Sequence, residues 1–180
     1  MNYKLRISLD IDGTIADFDS AYLKRFKKWP NYDWAITRNV NNILIHEREF
    51  WLGLPVLRRP NFVPRIYCTS RISSKRWTRK YLEDNQFPKA PVFQVPGYNA
   101  SKEKVLKGRC DVHIEDSVNQ FMRLNKSGIP CLLIDNDSNR FLGPILRIYS
   151  LDEEEIEDAY WLAKESGAFE DFDKIFINEY

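Results

Sequence analysis

The sequence predicts an α/β fold: a Rossmann-like core whose central parallel sheet is flanked by helices. Short apolar segments typical of strands alternate with amphipathic segments typical of helices along most of the 180 residues. This alternation favours a parallel sheet with helices on both faces. The composition, 43% hydrophobic and 29% charged, suits one globular domain spanning residues 1–180.

The elements follow from apolar spacing and from capping residues. Residues 4–9 alternate polar and apolar side chains and lead into a turn. The predicted strands are 4–9, 65–68, 91–95, 111–114 and 129–134. The predicted helices are 15–28, a segment capped by Ser73 or Ser74 that runs to about Gln86, a segment from Lys102 to Gly108, 118–126 and 152–166.

The segment of approximately residues 19–60 is predicted to form a small helical cap insert within the domain. Aromatic side chains gather there and prolines punctuate the segment. Such rings would either cover a site or form the small core of the insert itself, and the second alternative is the more usual one. The prolines at 55, 60 and 64 leave little room for a helix directly before the second strand.

The two ends of the chain differ in charge. Residues 1–110 contain 21 Lys and Arg against 10 Asp and Glu, whereas residues 111–180 contain 6 against 16. A basic first part suits a phosphate-bearing partner. The alternative, that the two halves offset each other on one folded surface, stays equally open.

The cysteines and the apolar stretches predict a cytoplasmic protein. Cys68, Cys110 and Cys131 lie in or beside apolar segments and lack Cys-x-x-Cys spacing, which indicates buried thiols in a reducing compartment. No apolar stretch reaches the roughly 20 residues of a membrane helix, so we expect no membrane partner.

Acidic residues follow two of the predicted strands. Asp10 and Asp12 lie two residues apart after the first strand, Gly13 allows a sharp turn, and Glu115 and Asp116 follow the fourth. Ligands of open α/β sheets bind at the carboxyl ends of strands, and clustered carboxylates suit Mg²⁺. The alternatives are solvated turn acids for Asp10 and Asp12 and a helix N-cap for Asp116.

Two further residues fit a phosphate ester. Thr69 ends the second strand with a hydroxyl and a backbone N–H, and Lys102 begins a helix with a point charge. A turn residue and a solvated lysine are the alternatives. The basic run 71–80 contains one aromatic residue and is either a second phosphate or polynucleotide contact or, more usually, a solvated helix face.

In this order, DIDGT (10–14), the strand ending in Thr69 and Ser70, Lys102, and IED (114–116) resemble the four motifs of the haloacid dehalogenase-like hydrolases. DIDGTIADF (10–18) and YCTSR (67–71) look most like the 5′(3′)-deoxyribonucleotidases, and FWLGLP (50–55), KEKVL (102–106) and IDNDSNR (134–140) are similar to segments of that family.

The resemblance implies a role for each matched residue. Asp10 would attack phosphorus, Asp12 would act as general acid and base, and Thr69 and Lys102 would hold phosphate oxygens. Mg²⁺ would be held by Asp10, the Asp12 carbonyl and Asp116. Phe18 would stack on the base, and Ser70 and Arg71 would also bind substrate. This sequence departs from the family pattern in three places. It has Glu115 where an aspartate is usual, its insert is short, and the helix before Thr69 is shortened.

We therefore expect a magnesium-dependent phosphatase of nucleoside and deoxynucleoside monophosphates. Its partner would be a nucleotide or another phosphomonoester, and a homodimer stays open. The alternatives are a phosphatase of nucleic-acid ends, a broad phosphatase of small phosphate esters, and a receiver-like module phosphorylated on aspartate. A receiver-like module would have no need for Asp12 as a general acid and base.

Overall fold

The structure, a computed structural model, describes residues 4–27, 43–95, 102–144, 146–170 and 172. Within these residues, six strands form one sheet in the order β3-β2-β1-β4-β5-β6, and every neighbouring pair is parallel. The predicted α/β class and Rossmann-like core are confirmed. The strands are β1 (Ile7–Leu9), β2 (Ile66–Thr69), β3 (Val92–Gln94), β4 (Val112–Glu115), β5 (Cys131–Ile134) and β6 (Arg147–Ile148).

The helices connect these strands and cover the sheet. They are α1 (Phe18–Phe26), α2 (Arg48–Leu52), α3 (Lys75–Asp84), α4 (Glu103–Leu106), α5 (Val118–Lys126) and α6 (Glu153–Glu165), with a 3₁₀ turn at Arg140–Leu142. Every residue of the four central strands is buried, which explains their nearly continuous apolar sequences. The few polar residues in these strands belong to the site described below.

Capping residues set the helix starts and correct one prediction. Helix α1 begins at Phe18 rather than at residue 15, because the Asp17 side chain accepts a hydrogen bond from the Ser20 N–H at 3.0 Å. Residues 12–16 instead form the turn after β1. Ser74, one of the two predicted caps, accepts from the Arg76 N–H and starts α3.

Strand β6 was not predicted. It has two residues, Arg147 and Ile148, and pairs in register with Leu133 and Ile134 of β5. A segment this short shows no alternation, so only its pairing with a neighbour defines it as a strand. The segment before β2 has no helix, as its prolines indicate.

The predicted cap insert is described in part. Residues 28–42 lie outside the described residues, and the single domain and its insert stay predictions. Phe18 and Tyr22 of α1 and Phe50 and Trp51 of α2 form one aromatic cluster, with ring centroids 5.3 to 5.8 Å apart in the four closest described pairs. Among the described residues, no helix has the length and apolar character needed to cross a membrane.

Cys68, Cys110 and Cys131 are buried free thiols. Burial raises the pKa of Cys68 and of Cys110 to about 12, and it raises the pKa of Cys131 well above its usual value. The reactive thiolate is therefore scarce in the folded protein near neutral pH.

We predict that a disulfide reagent such as Ellman's reagent at pH 8 leaves all three cysteines of the native protein unmodified over minutes. The reason is that burial both blocks access and suppresses the thiolate. In guanidinium chloride all three thiols should react, which supplies the control. Rapid modification of a thiol in the native protein would contradict this packing.

Candidate active site

The site lies at the carboxyl ends of β1 and β4, where the strand order reverses. Strand β1 pairs with β2 on one side and with β4 on the other, and its Leu9 is in register with Ile114. The Asp10 N–H donates to the Ile114 carbonyl at 3.0 Å. This pairing brings the acids after β1 beside those after β4, at the position where open α/β sheets bind ligands.

Three carboxylates gather there. Asp10, Glu115 and Asp116 each offer an oxygen, and these three oxygens lie within 4.8 Å of one another. The structure thus brings Asp10 and Asp116 together, as the sequence predicts. Glu115, to which the resemblance assigns no ligand role, belongs to the same cluster, whereas the Asp12 side chain does not.

Lys102 balances part of this negative charge. Its Nζ lies 2.7 Å from Asp10 Oδ1 and 2.7 Å from Glu115 Oε2, and the residue is 1% exposed. Burial opposes a charged ammonium, but the two carboxylates hold the pKa of Lys102 well above its usual value. A solvated lysine at this position is excluded.

The carboxyl groups of the cluster differ in proton affinity. Burial raises the pKa of Asp10 to about 7, although Lys102 acts in the opposite direction. Removal from water, together with the charges of Glu115 and Asp10, raises the pKa of Asp116. Burial also disfavours the Glu115 carboxylate, but Lys102 and a hydrogen bond from His113 outweigh it and lower the pKa of Glu115 to about 2.

His113 in β4 supports this arrangement and was not assigned a role from the sequence. Its Nε2 lies 3.3 Å from Glu115 Oε2, and its Nδ1 lies 3.0 Å from Ser8 Oγ. Burial lowers the pKa of His113, so a neutral ring that donates from Nε2 and accepts from the serine hydroxyl satisfies both contacts. Ser8 of β1 and His113 of β4 thereby fix the orientation of the Glu115 carboxylate.

Asp12 contacts Arg71 instead of the carboxylate cluster. The Arg71 Nη2 donates to Asp12 Oδ1 at 2.8 Å, and Nε donates to both carboxylate oxygens. The Arg71 guanidinium carbon lies 5.4 Å from the Trp51 ring centroid and 4.9 Å from that of Tyr81. In this structure the buried Arg71 side chain forms an ion pair with the partly exposed predicted general acid, and its predicted substrate contact stays a prediction.

Buried hydroxyl groups lie at the ends of β1 and β2. Thr69 is buried, and its Oγ1 accepts from the Arg71 N–H at 3.3 Å. Ser70 Oγ and Thr14 Oγ1 are buried and find no hydrogen-bond partner among the described residues. Because a buried hydroxyl is rarely left unpaired, these two groups suit a ligand with acceptor oxygens.

Phe18, the residue expected to stack on a base, contacts all three other rings of the aromatic cluster. Its ring stacks on Trp51 at a centroid distance of 5.8 Å and meets Phe50 edge-on. The side chain is partly exposed. Part of the ring is therefore accessible, while the rest contributes to the core of the insert.

Gly13 allows the Asp116 carboxylate to approach the turn after β1. A Cβ at this position would lie 1.9 Å from Asp116 Oδ2, and the backbone has a φ of +76°. Both features require glycine. The turn after β1 and the acid after β4 are therefore built against each other.

A polar brace holds the same turn from the other side. Arg58 Nη1 donates to the Gly13 and Thr14 carbonyls at 3.3 and 3.4 Å, and Asn136 Nδ2 donates to the Gly13 carbonyl at 2.8 Å. Asn139 Nδ2 donates to the Asp116 carbonyl at 3.0 Å. The two asparagines lie in the segment 134–140 that carries the family resemblance, whereas no sequence pattern singled out Arg58.

The donor set fits a magnesium ion. All three groups are carboxylates, the hard oxygen ligands that Mg²⁺ prefers. When all are ionised, the three carboxylates and the Lys102 ammonium carry a net charge of −2, which a divalent cation would cancel. Asp10, Glu115 and Asp116 are the side chains that would hold it, and the predicted ligand role of the Asp12 carbonyl stays a prediction.

Neither a scan of protein-family models nor a search of curated proteins gives a match for this chain. Membership of the haloacid dehalogenase-like hydrolases therefore stays a resemblance, carried by the quoted motifs. The activity that we propose rests on the geometry of the site.

We predict that Gly13→Ala weakens Mg²⁺ binding by about 10- to 100-fold, because the added methyl group displaces the Asp116 carboxylate. Isothermal titration calorimetry measures this. Gly108→Ala is the matched control, since Gly108 has a φ of +73° and no atom within 4 Å of an added Cβ. Both variants should lose about 1–2 kcal/mol of unfolding free energy from backbone strain, and equal Mg²⁺ affinities would contradict the prediction.

We also predict that Mg²⁺ affinity rises with pH between 6 and 8, because the raised pKa values of Asp10 and Asp116 leave protons that the ion must displace. Below its pKa of about 7, Asp10 carries a proton that the ion must displace. The affinity should therefore change by up to about tenfold per pH unit for that proton. Titrations at pH 6, 7 and 8 measure it, and Asp10→Asn should flatten the slope. An affinity that falls with pH would contradict the assignment.

Proposed function

We propose that this chain is a magnesium-dependent phosphomonoesterase that hydrolyses nucleoside and deoxynucleoside monophosphates through a phosphoaspartate on Asp10. The observation that carries the proposal is the environment of Asp10. Its carboxylate is buried, contacts Lys102 at 2.7 Å, and shares an oxygen cluster with Glu115 and Asp116. A nucleophile, a cation and an acidic ligand set thus meet at one strand end.

In the first step, an Asp10 carboxylate oxygen forms a bond to phosphorus as the ester bond to the leaving oxygen breaks. Asp12 gives its proton to that oxygen. In the second step, Asp12 takes a proton from water, the water oxygen attacks phosphorus, and the bond to Asp10 breaks to release inorganic phosphate. Asp12 is 22% exposed at its side chain, so a leaving group and water can reach it.

The remaining residues would stabilise the negative charge of the phosphoryl group during its transfer. Lys102 offsets negative charge beside Asp10. The hydroxyl groups of Thr69 and Ser70 offer donors at the end of β2. A bound Mg²⁺ would further neutralise phosphate charge and orient the ester.

The nucleotide preference is supported by the aromatic cluster beside the catalytic turn. Phe18 immediately follows Asp17, the cap of α1, and its ring is partly exposed. An aromatic face can stack on any base. The same ring also packs on Trp51, which holds it beside the turn after β1.

A second candidate function is a phosphatase of nucleic-acid ends. Helix α3 begins shortly after Thr69 and presents the exposed basic residues Lys75, Arg76, Arg79 and Lys80. Such a face could contact a polynucleotide backbone. A preference for 5′- or 3′-phosphorylated oligonucleotides over mononucleotides that weakens with added salt would favour this candidate.

We predict that Asp10→Asn lowers phosphate release from deoxynucleoside monophosphates at least about 10³-fold, because the amide cannot attack phosphorus. A colorimetric phosphate assay on nucleotides, oligonucleotides and sugar phosphates, with Mg²⁺ or with EDTA, measures this and ranks the substrate classes. Asp158→Asn is the control, since Asp158 is an exposed acid on α6. Activity near that of wild type in Asp10→Asn would refute the nucleophile.

The same assay separates an enzyme from a receiver-like module. Incubation with a small phosphoryl donor, followed by intact-mass measurement, detects phosphate on the chain. A wild-type protein that holds one phosphate for hours without releasing it would favour the module. Rapid turnover favours the phosphatase.

A further inference from the structure

Among the described residues, all but one of the polar groups of Arg71 have a hydrogen-bond partner. Its Nε and Nη2 donate three hydrogen bonds of 2.8 to 3.0 Å to the Asp12 carboxylate. Its backbone N–H donates to Thr69 Oγ1, and its carbonyl accepts from Gln94 Nε2 at 2.7 Å. Only Nη1 is buried without a hydrogen-bond partner among the described residues.

The two members of this ion pair differ in exposure. The Arg71 side chain is 0% exposed, whereas the Asp12 side chain is 22% exposed. The rings of Trp51 and Tyr81 lie about as close to the guanidinium as cation–π pairs do. Asp12 is therefore the member of the ion pair that solvent reaches.

We propose that Arg71 is a positioning residue that orients the Asp12 carboxyl group for proton transfer to the leaving oxygen. The inference rests on the proposed phosphatase function and goes beyond it, because the resemblance gave Arg71 a substrate contact. Trp51 of α2 and Tyr81 of α3 are the walls that hold the guanidinium in place.

Proton transfer to the leaving oxygen requires a carboxyl group with a fixed orientation. A general acid must lie within hydrogen-bond reach of the atom it protonates, and a displacement of about 1 Å can cost about 10²-fold in rate. Asp12 lies in a turn and is partly exposed, so its side chain would otherwise be free to rotate. The planar guanidinium fork fixes both carboxylate oxygens at once, which an ammonium cannot do.

The contacts also leave part of the carboxyl group available. Oδ1 accepts two of the three hydrogen bonds and Oδ2 accepts one. A carboxylate oxygen has two lone pairs, so Oδ2 retains a site for the leaving oxygen or for water.

The test compares two substrates that differ in their need for a proton. A deoxynucleoside 5′-monophosphate has an alkoxide leaving group that must be protonated, whereas the nitrophenolate of p-nitrophenyl phosphate leaves without a proton. We expect Arg71→Lys to lower kcat/KM for the nucleotide about 10- to 100-fold. The loss for p-nitrophenyl phosphate should be less than about threefold.

Two controls keep the result independent of folding. The ratio of the two kcat/KM losses is measured on one preparation, so a smaller folded fraction lowers both values equally and leaves the ratio unchanged. Arg65→Lys changes an exposed arginine directly before β2, at the end of that strand opposite the site, and should leave the ratio at its wild-type value. In an Asp12→Asn background, Arg71→Lys should cause no further selective loss for the nucleotide, since the group it positions is absent.

Equal losses for the two substrates in Arg71→Lys would overturn the inference and leave the proposed function intact. So would a further selective loss for the nucleotide in the Asp12→Asn background. A wild-type protein that hydrolyses neither substrate would overturn the proposed function and this inference together.

Discussion

The charge balance around Lys102 is the interaction on which the site depends. Its ammonium group lies between Asp10 and Glu115 at 2.7 Å from each, in a position closed to solvent. Buried carboxylates without such compensation would be strongly destabilising. The compensation is incomplete, because three carboxylates face one ammonium, and burial together with the neighbouring carboxylates raises the pKa values of Asp10 and Asp116. A divalent cation is the species that would complete it.

Backbone geometry gives this cluster its precision. The register of β1 and β4 places the two acidic strand ends side by side, and Gly13 lets the Asp116 carboxylate reach the turn. The brace from Arg58 and Asn136 then fixes the carbonyl of that same glycine. Sheet pairing, one backbone conformation and a few hydrogen bonds thus act on a single turn, so a change in any one of them displaces several ligands.

The site divides into a dry part and a part open to solvent. Asp10, Glu115 and Lys102 are buried, where electrostatic interactions are strong. Asp12 is partly exposed and forms an ion pair with the buried Arg71. This division suits a reaction in which a nucleophile must be kept from water while an acid and base exchanges protons with it. The proposed function and the proposed role of Arg71 both follow from that contrast.

The sequence by itself determined the parallel α/β class, the placement of Asp10, Thr69 and Asp116 at strand ends, and the burial of the cysteines. These follow from apolar periodicity and from the rule that strand ends share one edge. Only the tertiary structure decided that Glu115 joins the carboxylate cluster, that Arg71 binds Asp12, and that Arg58 and His113 support the site. Those contacts join residues as far as 105 positions apart in the chain, and such pairings are set by packing and register, which local sequence patterns do not encode.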